Sequence, residues 1–197
     1  MKTPSSAFML RFFPLCLSVS LLCTTAIAFA AKNFEHTESH LSPNSPAKVE
    51  AILRDYGNYC DHGCRYSRPN LVKIRLLDYK KSDTSWYTWT YVSTTFKDVK
   101  YFTHVQLNRK KDGAFHWQSQ QVKDPQLLRT LKAKTGLDHK PAFVGGSTSI
   151  TAVKQGSGTK FTQHVVVEAD GFLARFPGKI IAGIKKSFRW TFHNIDL

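Results

Sequence analysis

Residues 172–195 leave the chain little freedom, because they read as one long helix with a single oily side. At about 100° per residue, Arg175, Lys179, Lys185, Lys186 and Arg189 fall within an arc of about 120°. Phe172, Leu173, Phe176, Ile180, Ile184, Phe188, Phe192 and Ile195 take the opposite side. A helix of this length must lay such a stripe on a broad apolar surface. Pro177 falls in its first turns and is expected to kink it or delay its start. Gly178 and Gly183 weaken it. Gly183 stands at the edge of the stripe, where another group could come close to the backbone.

The broad surface is supplied by a run of strands ahead of the helix. Leu71–Tyr79 alternates Val72, Ile74 and Leu76 with Lys73 and Arg75. Thr84–Thr94 is rich in Trp, Tyr and Thr, which suit strands. Val99–Leu107 alternates, turns through 108–113, and returns as Ala114–Val122 with Phe115 and Trp117 on one face. Residues 143–153 and 159–168 form another hairpin around Gly156 and Gly158. Two shorter helices are expected. Ser45 and Pro46 open one over 46–56, with Val49, Ile52, Leu53 and Tyr56 at helical spacing. Asp124 and Pro125 open another that carries Leu127, Leu128 and Leu131 and stops at Gly136. Residues 57–70 are turn-rich, and the polar stretch 31–45 reads as a flexible leader.

The first thirty residues read as a secretory signal. Lys2 and Arg11 form its positive end, 12–27 carries no charge, and Ala28 and Ala30 offer the small residues of a cleavage site before Ala31. The rival reading is an uncleaved anchor, for which the apolar run is short. A secreted or periplasmic location is therefore expected. Cleavage removes Lys2 and Arg11 and no acid, so the formal charge of +14 becomes +12. It leaves Cys60 and Cys64 as the remaining cysteines. In an oxidising compartment these two are expected to form a disulfide acting as a local clip. The alternative, a metal held by Cys60, His62 and Cys64, lacks the second ligand pair that structural zinc usually takes.

Helix, turn, antiparallel strands, long final helix: this order resembles the START-like (helix-grip) superfamily, which includes polyketide cyclases and lipid-transfer domains. Three passages carry the resemblance. Val49–Tyr59 is similar to the family's first helix, Gly146–Val167 to its last hairpin, and Gly171–Ile195 to its terminal helix. The match over 80–140 is one of pattern. The chain departs from a minimal member in the extra helix of 123–141, which could act as a lid, and at Cys60 and Cys64, where a proline-containing turn is usual. The resemblance implies an α+β fold over 46–197, a curved antiparallel sheet wrapped around the C-terminal helix. It also implies an apolar cavity for a lipid, sterol-like or aromatic guest. Trp86, Tyr101, Trp117, Ile180, Ile184 and Phe188 are the candidate contacts, with plain core as the alternative role for each.

Three readings follow. One is a carrier that binds or transfers a hydrophobic small molecule, its basic helix face meeting an anionic membrane surface. Another is a cyclase or aromatase on the same fold, against which a secretory signal argues. The third is an interaction protein with a filled interior. No nucleophile elbow, zinc-protease helix, P-loop or dinucleotide fingerprint occurs, so no catalytic residue, cofactor or metal is assigned. His104, His116 and His164 fall on strands without a carboxylate in phase to build a relay. Asp55 is expected to end a helix. Secretion and the lack of a recognition motif argue against a nucleic-acid partner.

Overall fold

The chain order is β1 (Lys32–Ser42), α1 (Pro46–Arg54), β2 (Val72–Leu77), β3 (Ser85–Val92), β4 (Val99–Arg109), β5 (Phe115–Gln121), α2 (Pro125–Thr135), β6 (Gly145–Gln155), β7 (Gly158–Ala169) and α3 (Pro177–Asp196). The structure is a computed structural model, and it describes residues 30–56, 72–92 and 98–196. Seven antiparallel strands form one sheet in the order β1-β7-β6-β5-β4-β3-β2. The period of two sends alternate side chains to opposite faces. Trp86, Val105, Trp117, Ile150 and Phe161 join one core with Ile180, Ile184 and Phe188 of α3. Trp89, Phe102 and Val122, from the other phase, join a second core with Leu131 of α2. The curved sheet therefore grips α3 on its inner face, as the strand run and the amphipathic stripe require.

Four expectations need correction. Residues 31–45 are no flexible leader, since β1 pairs with β7 over its whole length, from Lys32 opposite Ala169 to Ser42 opposite Thr159. The segment is polar because much of it is exposed at the sheet edge. What holds it is backbone pairing and ring contact, with His36 stacked on Phe188 at 5.3 Å and His40 on Phe192 at 4.9 Å.

The second correction concerns the start of the final helix at 172, where the delay expected from Pro177 is what occurs. The helix begins at Pro177, after a short 3-10 turn over Leu173–Arg175. Proline has no N–H to bond backwards, so it serves at the first helical position. Phe172 and Leu173 thereby leave the phase of the stripe and stand exposed.

The third concerns α2, which is not a lid. It buries Leu131 against the outer face of the sheet, away from α3. The chain beyond it is held there by Trp89 Nε1, which donates to the Asp138 carbonyl at 2.8 Å.

The fourth is the disulfide. All four cysteines of the chain, Cys60 and Cys64 among them, lie outside the described residues, and the expected clip is not carried forward. A clip closing so short a loop would gain little from chain entropy. The neighbouring α1 is held by other means. Arg109 pairs with Glu50 (2.6 Å) and Asp83 (2.6 Å), and Arg54 reaches the same two acids. The hydrogen bonds from Arg109 hold the Glu50 carboxyl below the ordinary carboxylate value, against the opposing effect of burial. The signal reading of residues 1–30 likewise falls almost wholly outside the described residues.

Ser45 caps α1 through its Oγ, which accepts from the Lys48 amide, and Asp55 closes it as expected. The link from β1 to α1 fastens the end of α3. Ser42 Oγ and Asn44 Nδ2 both donate to the Ile195 carbonyl, at 2.9 and 2.7 Å. Gly158 lies against this link, and a β-carbon there would press on the Ser42 carbonyl oxygen, which belongs to backbone and cannot swing away. Gly158→Ala is expected to cost about 1–3 kcal/mol, read from the urea unfolding midpoint.

Candidate functional site

The two layers do not fill the space between them. A cavity of about 680 Å³ lies between the inner face of the sheet and α3, which lines it from Lys179 to Thr191. Its roof is Leu53 of α1 and Tyr56 just beyond that helix, with Ile180, Gly183 and Ile184 from α3, and residues 141–143 wall one side. Its floor is the inner phase of β2 to β7.

Four of the six residues expected to touch a guest line this space: Tyr101, Trp117, Ile180 and Ile184. Trp86 and Phe188 do not. Trp86 is fully buried behind the wall, edge-on to Trp117 at 5.2 Å, and its Nε1 donates to the Tyr56 hydroxyl at 2.9 Å. Phe188 sits one turn past Ile184, where β1 and Phe192 close over it. The strand that was read as a leader is what takes Phe188 out of the cavity.

Strand phase could have located more. Thr88 and Thr90 share a face with Trp86, Thr103 with Tyr101, and Ser119 and Gln121 with Trp117, and all of them line the cavity. Gln163 and Thr148 complete the floor from β7 and β6. Aromatic size drew attention to the large residues and passed over these small polar ones. Gly183, noted for a possible close approach, lines the cavity, and a β-carbon there would meet nothing within 4 Å.

The floor sets these neutral polar groups among apolar ones, Ile74, Val105, Ile150 and Val165. The Tyr101 phenol lies in the interior, where burial raises its pKa above the ordinary value despite a hydrogen bond with Thr90. It therefore stays protonated and can donate. Among the described lining residues Lys179 alone carries a formal charge. It lies near the start of α3, with its ammonium 5.4 Å from the Phe176 ring centre. The strand histidines occupy the outer phase. His104 pairs with Ser85 (2.8 Å), and burial lowers its pKa. His116 pairs with Thr151 (3.3 Å) and His164 with Thr37 (2.7 Å). None of the three lines the cavity. Among the described residues no three His, Cys, Asp or Glu side chains converge as a metal site.

A sheet gripping a terminal helix over a cavity defines the class: the chain has the START-like, helix-grip fold. Solved structures agree. The STAR-related lipid transfer protein from Xanthomonas axonopodis superposes with a TM-score of 0.61 at 16% identity, over 83% of this chain and 86% of that one. Human StAR-related lipid transfer protein 5 does so at 0.58 and 12%, over 82% and 74%. The Zhui aromatase/cyclase from Streptomyces sp. R1128 gives 0.54 and 12%, over 84% and 91%. No family model and no curated protein matches the sequence. At these identities the likeness establishes the fold.

Proposed function

We propose that this protein is a secreted or periplasmic carrier that binds a hydrophobic small molecule in the cavity under α3 and exchanges it at an anionic membrane surface. The observation that carries this reading is the 680 Å³ space itself, roofed by Leu53, Ile180 and Ile184 where a packed core would leave none. Burying a guest's apolar surface there at about 25 cal/mol per Å² drives binding. Neighbours on this fold include a protein named for lipid transfer and one named as an aromatase/cyclase. The carrier is favoured over the enzyme because the described lining offers no carboxylate or histidine to exchange a proton with a guest.

The membrane half of the reading rests on α3 and the turn before it. Arg175, Lys179, Lys185, Lys186 and Arg189 are all exposed. Phe172 is 70% exposed, placing an apolar side chain beside this basic face. The test is mass spectrometry of a denatured extract of the purified protein. A stoichiometric hydrophobe, with binding to phosphatidylglycerol vesicles but not to phosphatidylcholine vesicles, is the expected result. Protein that is repeatedly empty and takes up no member of a lipid panel would overturn the carrier.

A further inference from the structure

The cavity wall of residues 141–143 is fastened on the outer face of the sheet. β5 pairs with β4 as far as Gln121 opposite Thr103, and the Val122 amide then donates to the Phe102 carbonyl at 2.9 Å. Beyond that point the chain after α2 takes the place of β5. Lys100 and Lys140 exchange both backbone hydrogen bonds, at 3.0 and 2.6 Å. The amide of Phe102, a fully buried residue, falls in the gap between the two strand partners. His139 fills that gap with its side chain. Its Nδ1 accepts from the Phe102 N–H at 3.3 Å, and its ring lies parallel to the Phe102 ring at 5.8 Å. An acceptor at Nδ1 puts the single proton of the neutral ring on Nε2. Trp89 holds the residue before it, through the Asp138 carbonyl. The next residues, 141–143, line the cavity. The far end of this wall is held separately, by the Val144 amide on the Glu168 carbonyl at 3.1 Å.

We propose that His139 is an acid-sensitive latch on this wall, which detaches residues 138–140 from β4 when the imidazole takes a second proton. That proton goes to Nδ1, where it faces the Phe102 N–H, and two donors cannot bond. The buried amide loses its acceptor, a cost that favours the detached strap, where water can reach both groups. Among the described residues, the charged groups on the elements around the ring are Lys132 of α2, Lys100 of β4, and Asp138 and Lys140 on either side of it. Tyr91 of β3 lies with its ring 5.9 Å from the Lys100 ammonium. Asp138 already faces Lys100 and Lys140, at 3.4 and 3.9 Å. Burial, and after it the charge of Lys132, holds the His139 pKa below its ordinary value of 6.5. The detached ring takes a proton more readily than the latched one. The latch is therefore closed above the ordinary value and weakens as pH falls through it. It needs no guest and stands apart from the carrier reading; in a carrier it loosens the wall around the guest in acid.

Amide hydrogen exchange read by NMR tests this, each rate being compared with the intrinsic rate at its own pH. In the wild-type protein the protection of Phe102 and Lys140 is expected to fall at least about fivefold between about pH 7.5 and about pH 5, because the lower value lies more than about one unit below the ordinary imidazole pKa. Protection of Ala152 and Phe161, in the β6–β7 hairpin, is expected to hold within about twofold. His139→Asn keeps a neutral acceptor near the Nδ1 position and cannot be protonated. In that variant the protection of Phe102 and Lys140 is expected to stay within about twofold over the same interval. His139→Gln is the second variant, should the first fail to fold. Three results each overturn the latch: wild-type protection that acid leaves unchanged, a fall shared equally by Ala152 and Phe161, and a fall that persists in the folded variant. All three are read without any guest, so failure of the carrier reading leaves the test intact.

Discussion

Ser119→Trp is expected to abolish uptake of hydrophobic guests while leaving the protein folded. Ser119 sits mid-floor, between Val105 of β4 and Thr148 of β6, and its side chain borders the open space. An indole there fills the guest's place without displacing a core residue. Core insertions are costly when they push on packed neighbours. This one enters a void, so the thermal midpoint should hold or rise. Guest affinity, measured by displacement of a fluorescent fatty acid, should fall at least about a hundredfold, that is about 2.8 kcal/mol. Unchanged affinity in the folded variant would place the guest outside this cavity.

The second large effect is expected from deleting residues 31–44. That segment looks dispensable by composition, yet its removal strips a whole strand from β7 and leaves an unpaired edge. It also uncovers Phe188 and Phe192, and it removes the Ser42 and Asn44 donors from the last turn of α3. The combined loss should take most of the about 5–15 kcal/mol that holds an ordinary domain folded. The truncated chain is expected to be insoluble, or to lose its cooperative thermal transition by circular dichroism. A soluble product that melts within a few degrees of the full chain would show that β1 is an accessory to the sheet.

The contrast between β1 and α3 shows where the sequence could be read. Apolar periodicity is written by burial, so α3, α1 and the inner strands were legible, as was Gly136 closing α2 in a left-handed turn at φ 67°. β1 buries little of its own surface, and its pairing partner lies more than a hundred residues away. Nothing local records that pairing. The face taken by α2 was hidden for a related reason. Leu127, Leu128 and Leu131 say that the helix is covered on one side, and only the phase of Phe102 and Trp89 says by which face of the sheet. Within the site, large residues were found and small hydroxyls missed, since a cavity is shaped by what is absent from its walls.

The fastening of α3 is uneven. Its last turn is bolted to the segment after β1, while its first turn is tied to the 3-10 turn before it through the Phe176 carbonyl, which accepts from the Lys179 and Ile180 amides. α2 braces the sheet from its outer face. The two ends of the helix are thus held by different means, side-chain donors from a distant strand at one end and the backbone of the neighbouring turn at the other, so the loss of Ser42 and Asn44 would loosen the carboxyl-terminal end alone.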